Sequence, residues 1–132
     1  MIESKSDYNS RKKQVIDSIK IELDSMGVIY EPPSYIYTLE LEDGKYYVGF
    51  SDRILARLSM HFMSGGAAWV KKYKPVKILD IRRGSIELES LRTLEVMREF
   101  GVSNVRGGKW CELRDFTPAE LLELNKRIRS LG

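Results

Sequence analysis

The sequence predicts an α/β (α+β) domain: a small three-stranded antiparallel sheet flanked by helices, with an added helix at each end. Three observations carry that expectation. Two strand-like runs, "YIYTLEL" and "KYYVGF", sit either side of a short acidic turn. A third run, "VKILDI" at 76–81, is rich in β-branched residues. Around these runs the apolar residues switch to helical spacing. With 132 residues, 42% apolar and 31% charged, the chain has the size and composition of one globular domain rather than a disordered segment.

The elements follow in order. Residues 1–10 carry no core-facing pattern and are expected to fray. In "RKKQVIDSIKIELDSM", 11–26, Val15, Ile19 and Leu23 recur every fourth residue with Ile16 beside them, which predicts an amphipathic helix stopped by Gly27. Pro32 and Pro33 then force an extended entry to the hairpin. Its turn has two readings. Asp43-Gly44 as a type I′ pair would put Tyr37 and Tyr47 on opposite faces. A three-residue Glu42-Asp43-Gly44 loop with Gly44 left-handed puts Tyr37, Tyr47 and Gly49 on one face. Ile36, Thr38, Tyr46, Val48 and Phe50 then share the other, and that cleaner sorting favours the longer loop. "DRILARLSMHFM" and "AAWVKKY" read as helices separated by Gly65-Gly66. "IELESLRTLEVMREF" is a helix stopped by Gly101, "NVRGGKW" a loop with a basic tip, and "TPAELLELNKRIRSL" a helix opened by a Thr117–Glu120 capping box with Pro118 at N1. By this division residues 1–33 are an N-terminal extension, 34–101 the core, and 102–132 a basic loop and helix packed on the same domain.

Several classes drop out. No apolar run approaches the roughly 20 residues of a spanning helix. "MIESKSDYNSRKK" has no apolar h-region, so secretion is not expected and an intracellular location, cytoplasm or nucleus, is. Cys111 is the only cysteine and has no partner at metal-site spacing. The net charge of +3 permits an anionic partner without demanding one. Residues 53–83 hold Arg53, Arg57, Lys71, Lys72, Lys74, Lys77, Arg82 and Arg83 against Asp80 alone. That is either a phosphate-binding footprint or a solvated face.

Three constellations bear on chemistry. Two phenols beside Gly49 leave room for close approach of a backbone or a ligand, although tyrosines also simply favour strands. On the following helix Arg57 and His61 stand at i and i+4, beside the apolar stripe Ile54, Leu55, Leu58 and Phe62. A guanidinium takes phosphate bidentately and keeps its charge, whereas a lone histidine there is more often structural. Glu95 falls between Leu88 and Leu91 on the helical wheel, where a carboxylate needs either an arginine partner or a metal. One carboxylate suits Mg²⁺, which keeps most of its waters. Together these groups make a kit for phosphodiester cleavage: metal on Glu95, Arg57 on the phosphate charge, a phenol or His61 taking a proton from water.

The order of these parts resembles the GIY-YIG nuclease family. Tyr35-Ile36-Tyr37 corresponds to the first signature tripeptide and Tyr47-Val48-Gly49 to the second. Arg57 falls at the family's helix arginine, with His61 at the usual interval. "SGGAAWVKKYKPVKIL" is similar to the stretch leading into the third strand, and "LEVMREFG" supplies Glu95. The likeness spans roughly residues 34–101, and departs from the signature at Tyr35, where the family has glycine, and at Val48. It implies a divalent-metal DNA endonuclease using Mg²⁺ or Mn²⁺. Tyr37 would be the general base, Tyr47 would orient water or phosphate, Arg57 would hold the scissile phosphate, His61 would assist and Glu95 would bind the metal. Asn104 is a candidate for the polar residue that often completes the family's site.

The flanks are shorter than a standard second DNA-binding domain. The expected partner is duplex or branched DNA, with specificity supplied by structure, a homodimer or a larger protein partner, and no membrane role. Arg53, Lys71, Lys72, Lys74, Arg106 and Lys109 are the expected nucleic-acid contacts, with Trp110 available for stacking. Two other readings compete: a nucleic-acid-binding module of the same fold without cleavage, and an interaction protein recruiting a partner through its terminal helices.

Overall fold

The computed structural model describes residues 2–132. Ser4 caps α1 (Lys5–Ser25) by accepting from the Asp7 N–H at 3.0 Å. The helix therefore starts within the stretch expected to fray; of that stretch only Met1 lies outside the described residues. Only Ile19 and Leu23 in the second half of α1 are buried, so the first half is held by its cap and by propensity rather than by packing. Gly27, with φ +70°, ends it as expected.

The sheet holds β1 (Tyr35–Leu41), β2 (Tyr46–Ser51), β3 (Pro75–Arg83) and β4 (Val105–Gly107) in the order β3-β1-β2-β4. β1 pairs antiparallel with both β2 and β3. β4 pairs parallel with β2, from Tyr46 opposite Val105 to Val48 opposite Gly107. This fourth strand corrects the expected loop over 104–110. Three residues are too few to show alternation, so nothing in the local pattern announces it. The hairpin takes the longer loop. The Leu41 N–H donates to the Lys45 carbonyl, Glu42–Gly44 form a single 3₁₀ turn, and Asp43 joins Gly44 at positive φ. Tyr37 then stands opposite Gly49 and Leu39 opposite Tyr47, on one face.

Helices cover both faces. Tyr35, Tyr37, Leu39, Leu41 and Tyr47 pack against Ile19 and Leu23 of α1, Ile54 and Leu58 of α2 (Ile54–Phe62), and Trp69 and Val70 of α3 (Ala68–Lys72). Ile36 and Val48 pack the other way, against Leu94, Val96 and Met97 of α4 (Glu89–Phe100) and Leu124 of α5 (Pro118–Arg129). Tyr35 is buried in the first core, and its hydroxyl accepts the Ile29 N–H at 3.2 Å, tying down the link from α1. That accounts for a tyrosine where the signature has glycine. Among the described residues no helix is long and apolar enough to cross a membrane.

Candidate active site

Tyr37 is the centre of the site. β1 turns its side chain toward α2, and the ring lies across Gly49 so closely that a Cβ there would overlap Cζ and the phenol oxygen. The glycine thus admits the Tyr37 ring itself, not a ligand as the sequence suggested. The phenol oxygen is 2.7 Å from His61 Nε2 and accepts from Arg57 Nε at 3.3 Å. The i,i+4 pair on α2 therefore grips one phenol from two sides. Tyr47 packs edge-on to His61 with ring centroids 5.5 Å apart and sits 6.3 Å from the Tyr37 ring. Gly66 closes the site behind the imidazole: a Cβ there would come within 2.7 Å of His61 Nδ1.

Burial sets the protonation states. His61 is fully buried, and burial followed by the nearby Arg57 charge lowers its pKa to about 4, so the ring is neutral near pH 7. With its proton on Nδ1, a neutral ring would accept the Tyr37 O–H at Nε2 while the phenol oxygen accepts the Arg57 N–H. Burial, then the Tyr47 charge, pushes the Tyr37 phenol well above the ordinary phenol range, with Arg57 pulling the other way. Tyr47 is raised by burial first, and Cys111 and Glu89 add to it. Burial works against the Arg57 charge, but the two phenols outweigh it and its pKa rises.

The structure brings Tyr37, Tyr47, Arg57 and His61 together. It does not bring Glu95 to them. Glu95 lies 3.4 Å from Arg92 Nη1 and 4.0 Å from Arg82 Nη1, in a network that runs on from Arg92 to Asp80 at 2.8 Å. This is the salt-bridge alternative. The wheel had taken Leu88 and Leu91 as the inward stripe, but both are exposed, at 46% and 44%, while Thr93, Leu94, Val96 and Met97 face inward. The carboxylate that faces the site is Glu89. It raises the Tyr37 and Tyr47 phenols through its charge and is itself stabilised by Arg57. Burial raises its own pKa, partly offset by the nearby Gly108 backbone and the Arg57 charge. Six residues separate the two glutamates, roughly 240° around the helix, so only one can face the phenols. The signal for Glu89 lay in the buried Thr93 one turn on, a polar residue on the true inner stripe.

Cation binding separates the two glutamates as well. Arg92 at 3.4 Å and Arg82 at 4.0 Å already pair with Glu95, so a metal there would have to displace guanidiniums shared with Asp80. Glu89 has no salt-bridge partner among the described residues. One carboxylate with nearby phenols is a donor set for a cation that keeps most of its waters. Among the described residues no three His, Cys, Asp or Glu cluster as a ready-made metal cage.

The expected nucleic-acid contacts divide. Arg53 is exposed at the start of α2 and Lys109 is exposed after β4. Both lie at the end of the sheet where β2, β3 and β4 terminate, as does Glu89. Lys71, Lys72 and Lys74 are exposed at the hairpin-turn end, where the Glu42 N–H donates to the Lys74 carbonyl at 2.9 Å. That is roughly 14 Å along β1 from Tyr37. Arg106 is a correction: it is 1% exposed, stacked between the Trp69 ring at 4.2 Å and the Phe116 ring at 3.9 Å, so no phosphate reaches it. Asn104 caps α4 through the Phe100 carbonyl and accepts from Lys45, away from the phenols. Trp110 packs in the second core.

Fold and cluster together define a small α/β domain whose sheet carries a phenol–imidazole–guanidinium–carboxylate centre. The chain is 30% identical over 67 residues to a UPF0213 protein of Streptococcus agalactiae serotype V, covering 51% of this chain and 76% of that one. It is 37% identical over 46 residues to a UPF0213 protein of Streptococcus pneumoniae serotype 4, covering 35% and 46%. The chain belongs to the UPF0213 family, a GIY-YIG-like family, and neither name states an activity. No family model matches the chain, and no solved structure matches it significantly.

Proposed function

We propose that this protein is a divalent-metal-dependent DNA endonuclease in which Tyr37, Tyr47, Arg57 and His61 act with Glu89. The observation that carries the reading is the Tyr37 phenol, held by His61 Nε2 at 2.7 Å and Arg57 Nε at 3.3 Å within the field of a carboxylate that has no salt bridge among the described residues. The two signature tripeptides support it. Tyr37 stays protonated at neutral pH, so it acts through a relay rather than as a standing phenolate. Its oxygen accepts a proton from the attacking water as its own proton passes to neutral His61 Nε2. The hydroxide bonds to phosphorus and the ester oxygen on the far side leaves. Arg57 balances negative charge on the phenol and on the phosphate, and Tyr47 orients the phosphate or the water. Glu89 would hold Mg²⁺ or Mn²⁺, which supplies Lewis-acid polarisation of the phosphate oxygens. Arg53 and Lys109 would touch flanking phosphates, with Lys71, Lys72 and Lys74 reached only by a longer duplex or a branch.

Nicking of supercoiled plasmid in Mg²⁺ and then Mn²⁺ tests this, with wild type beside Glu89→Ala and Glu95→Ala. The metal is worth several kcal/mol of transition-state stabilisation, so Glu89→Ala loses about a thousandfold in rate. Glu95→Ala keeps the rate within a few-fold. The opposite ranking would return the metal to Glu95. Salt-dependent DNA binding with no cleavage by any of the three would leave a binding module in place of a nuclease.

A further inference from the structure

Glu89 sits in the first turn of α4, where helical packing alone leaves a side chain free to swing. Beside it runs the turn that follows β4. We propose that this turn, residues 106–114, is a positioning element for Glu89, with Gly108 as the positioning residue: its backbone seats on Ser90, the neighbour of Glu89 in the first turn of α4. The inference rests on the reading of Glu89 as the metal residue. Gly108 has φ +53°, and a Cβ there would lie 2.6 Å from Ser90 Oγ, 2.9 Å from Ser90 Cα and 3.2 Å from Ser90 N. The obstruction includes the backbone of α4, which cannot rotate away as a side chain can. Only glycine lets the chain pack this closely against the first turn of α4, beside Glu89.

The turn is built to stay in place. Gly107 and Trp110 exchange N–H···O bonds of 2.9 and 2.8 Å, and Cys111 Sγ donates to the Gly108 carbonyl at 2.9 Å. Arg106 anchors both flanks. It donates to the Glu112 carbonyl at 2.9 Å and the Arg114 carbonyl at 3.1 Å, clamped between Trp69 and Phe116. A guanidinium buried on carbonyls and ring faces is costly to break up, since each broken bond strands a charged donor. The residue expected to touch phosphate thus fixes the turn that fixes the carboxylate. Outer-shell contacts of this kind orient metal-binding carboxylates.

The test compares Gly108→Ala with Gly27→Ala. Gly27 has a similar φ of +70° but nothing within 4 Å of an added Cβ, so it controls for backbone strain alone. Mn²⁺ affinity, followed by the electron paramagnetic resonance signal of the free ion, falls about tenfold or more in Gly108→Ala. It is unchanged in Gly27→Ala. A second readout needs neither metal nor a folded Gly108 variant. In ¹⁵N-labelled protein, Glu89→Gln shifts the Gly108 amide resonance and leaves that of Gly27 in place. Wild-type Mn²⁺ affinity in Gly108→Ala, or a Gly108 amide indifferent to Glu89→Gln, overturns the proposal. A wild type that neither binds Mn²⁺ nor nicks DNA sinks the nuclease reading, while the amide shift still decides whether Gly108 packs beside Glu89.

Discussion

Glu89 and Glu95 stand on one helix and differ in what surrounds them. Glu95 is enclosed by Arg82 and Arg92 and extends a network to Asp80. Glu89 has no ion pair among the described residues, sits half-buried, and exerts its charge on two phenols and a thiol. A carboxylate whose charge is already neutralised is structural. One left unneutralised in a partly dry setting is available to a cation or a substrate. The same contrast separates the arginines. Arg92 is spent on carboxylates, whereas Arg57 faces phenols that stay neutral near pH 7 and has no carboxylate salt bridge among the described residues.

The largest effect that sharpens this contrast is a double dissociation of the two arginines. Removing a preorganised transition-state donor costs about a hundred- to a thousandfold in rate, and Arg57→Ala should lose that much in plasmid nicking. Arg92→Ala should keep its nicking rate and lose stability instead. Its side chain is 14% exposed and bridges Asp80 at 2.8 Å. Losing one partner of a fully buried pair costs several kcal/mol. Here Asp80 is partly exposed and keeps Arg82, so urea denaturation should show a loss of about 1–2 kcal/mol. Equal rate losses in both variants would mean that the two neighbourhoods are not separate.

The next effect reads His61 through pH. Its pKa is lowered in the fold to about 4 from the ordinary histidine value of 6.5. The unfolded chain therefore takes up a proton as pH falls below about 6.5, while the folded one resists until about 4. Stability is fully present above that window and lost progressively on descending through it, by about 3 kcal/mol in total. His61→Gln should flatten this component of the urea midpoint between pH 7 and pH 4.5. An unchanged pH slope would mean that His61 is hydrated and charged, and that the Tyr37 relay has no neutral acceptor.

These residues also mark what the sequence could and could not reveal. The hairpin register followed from sorting side chains onto faces, because each face packs against different helices and a one-residue slip would exchange their side chains. Tyr37, Arg57 and His61 were legible because strand and helix periods fix which way each points. Glu95 misled because leucines at 88 and 91 marked an apparent inner face that is in fact exposed. A helix with hydrophobic residues on two sides has no unique inward direction until its neighbours are known. Arg106 misled for the converse reason. A basic residue beside glycines reads as a loop tip, and only the three-residue strand β4 carries it between two aromatic rings. Both placements depend on tertiary partners distant in sequence.

The smallest effect tests whether the Glu95 network is inert toward chemistry. Arg82 contacts Asp80 at 3.3 Å and Glu95 at 4.0 Å with its side chain 54% exposed. Exposed pairs are screened, so Arg82→Ala should cost no more than about 0.5 kcal/mol in a urea melt at moderate salt. Its nicking rate should stay within a few-fold of wild type. If freeing Glu95 from Arg82 instead raised Mn²⁺ affinity, the second carboxylate would be a masked cation site. The division of α4 into one reactive and one structural glutamate would then depend on a single exposed arginine.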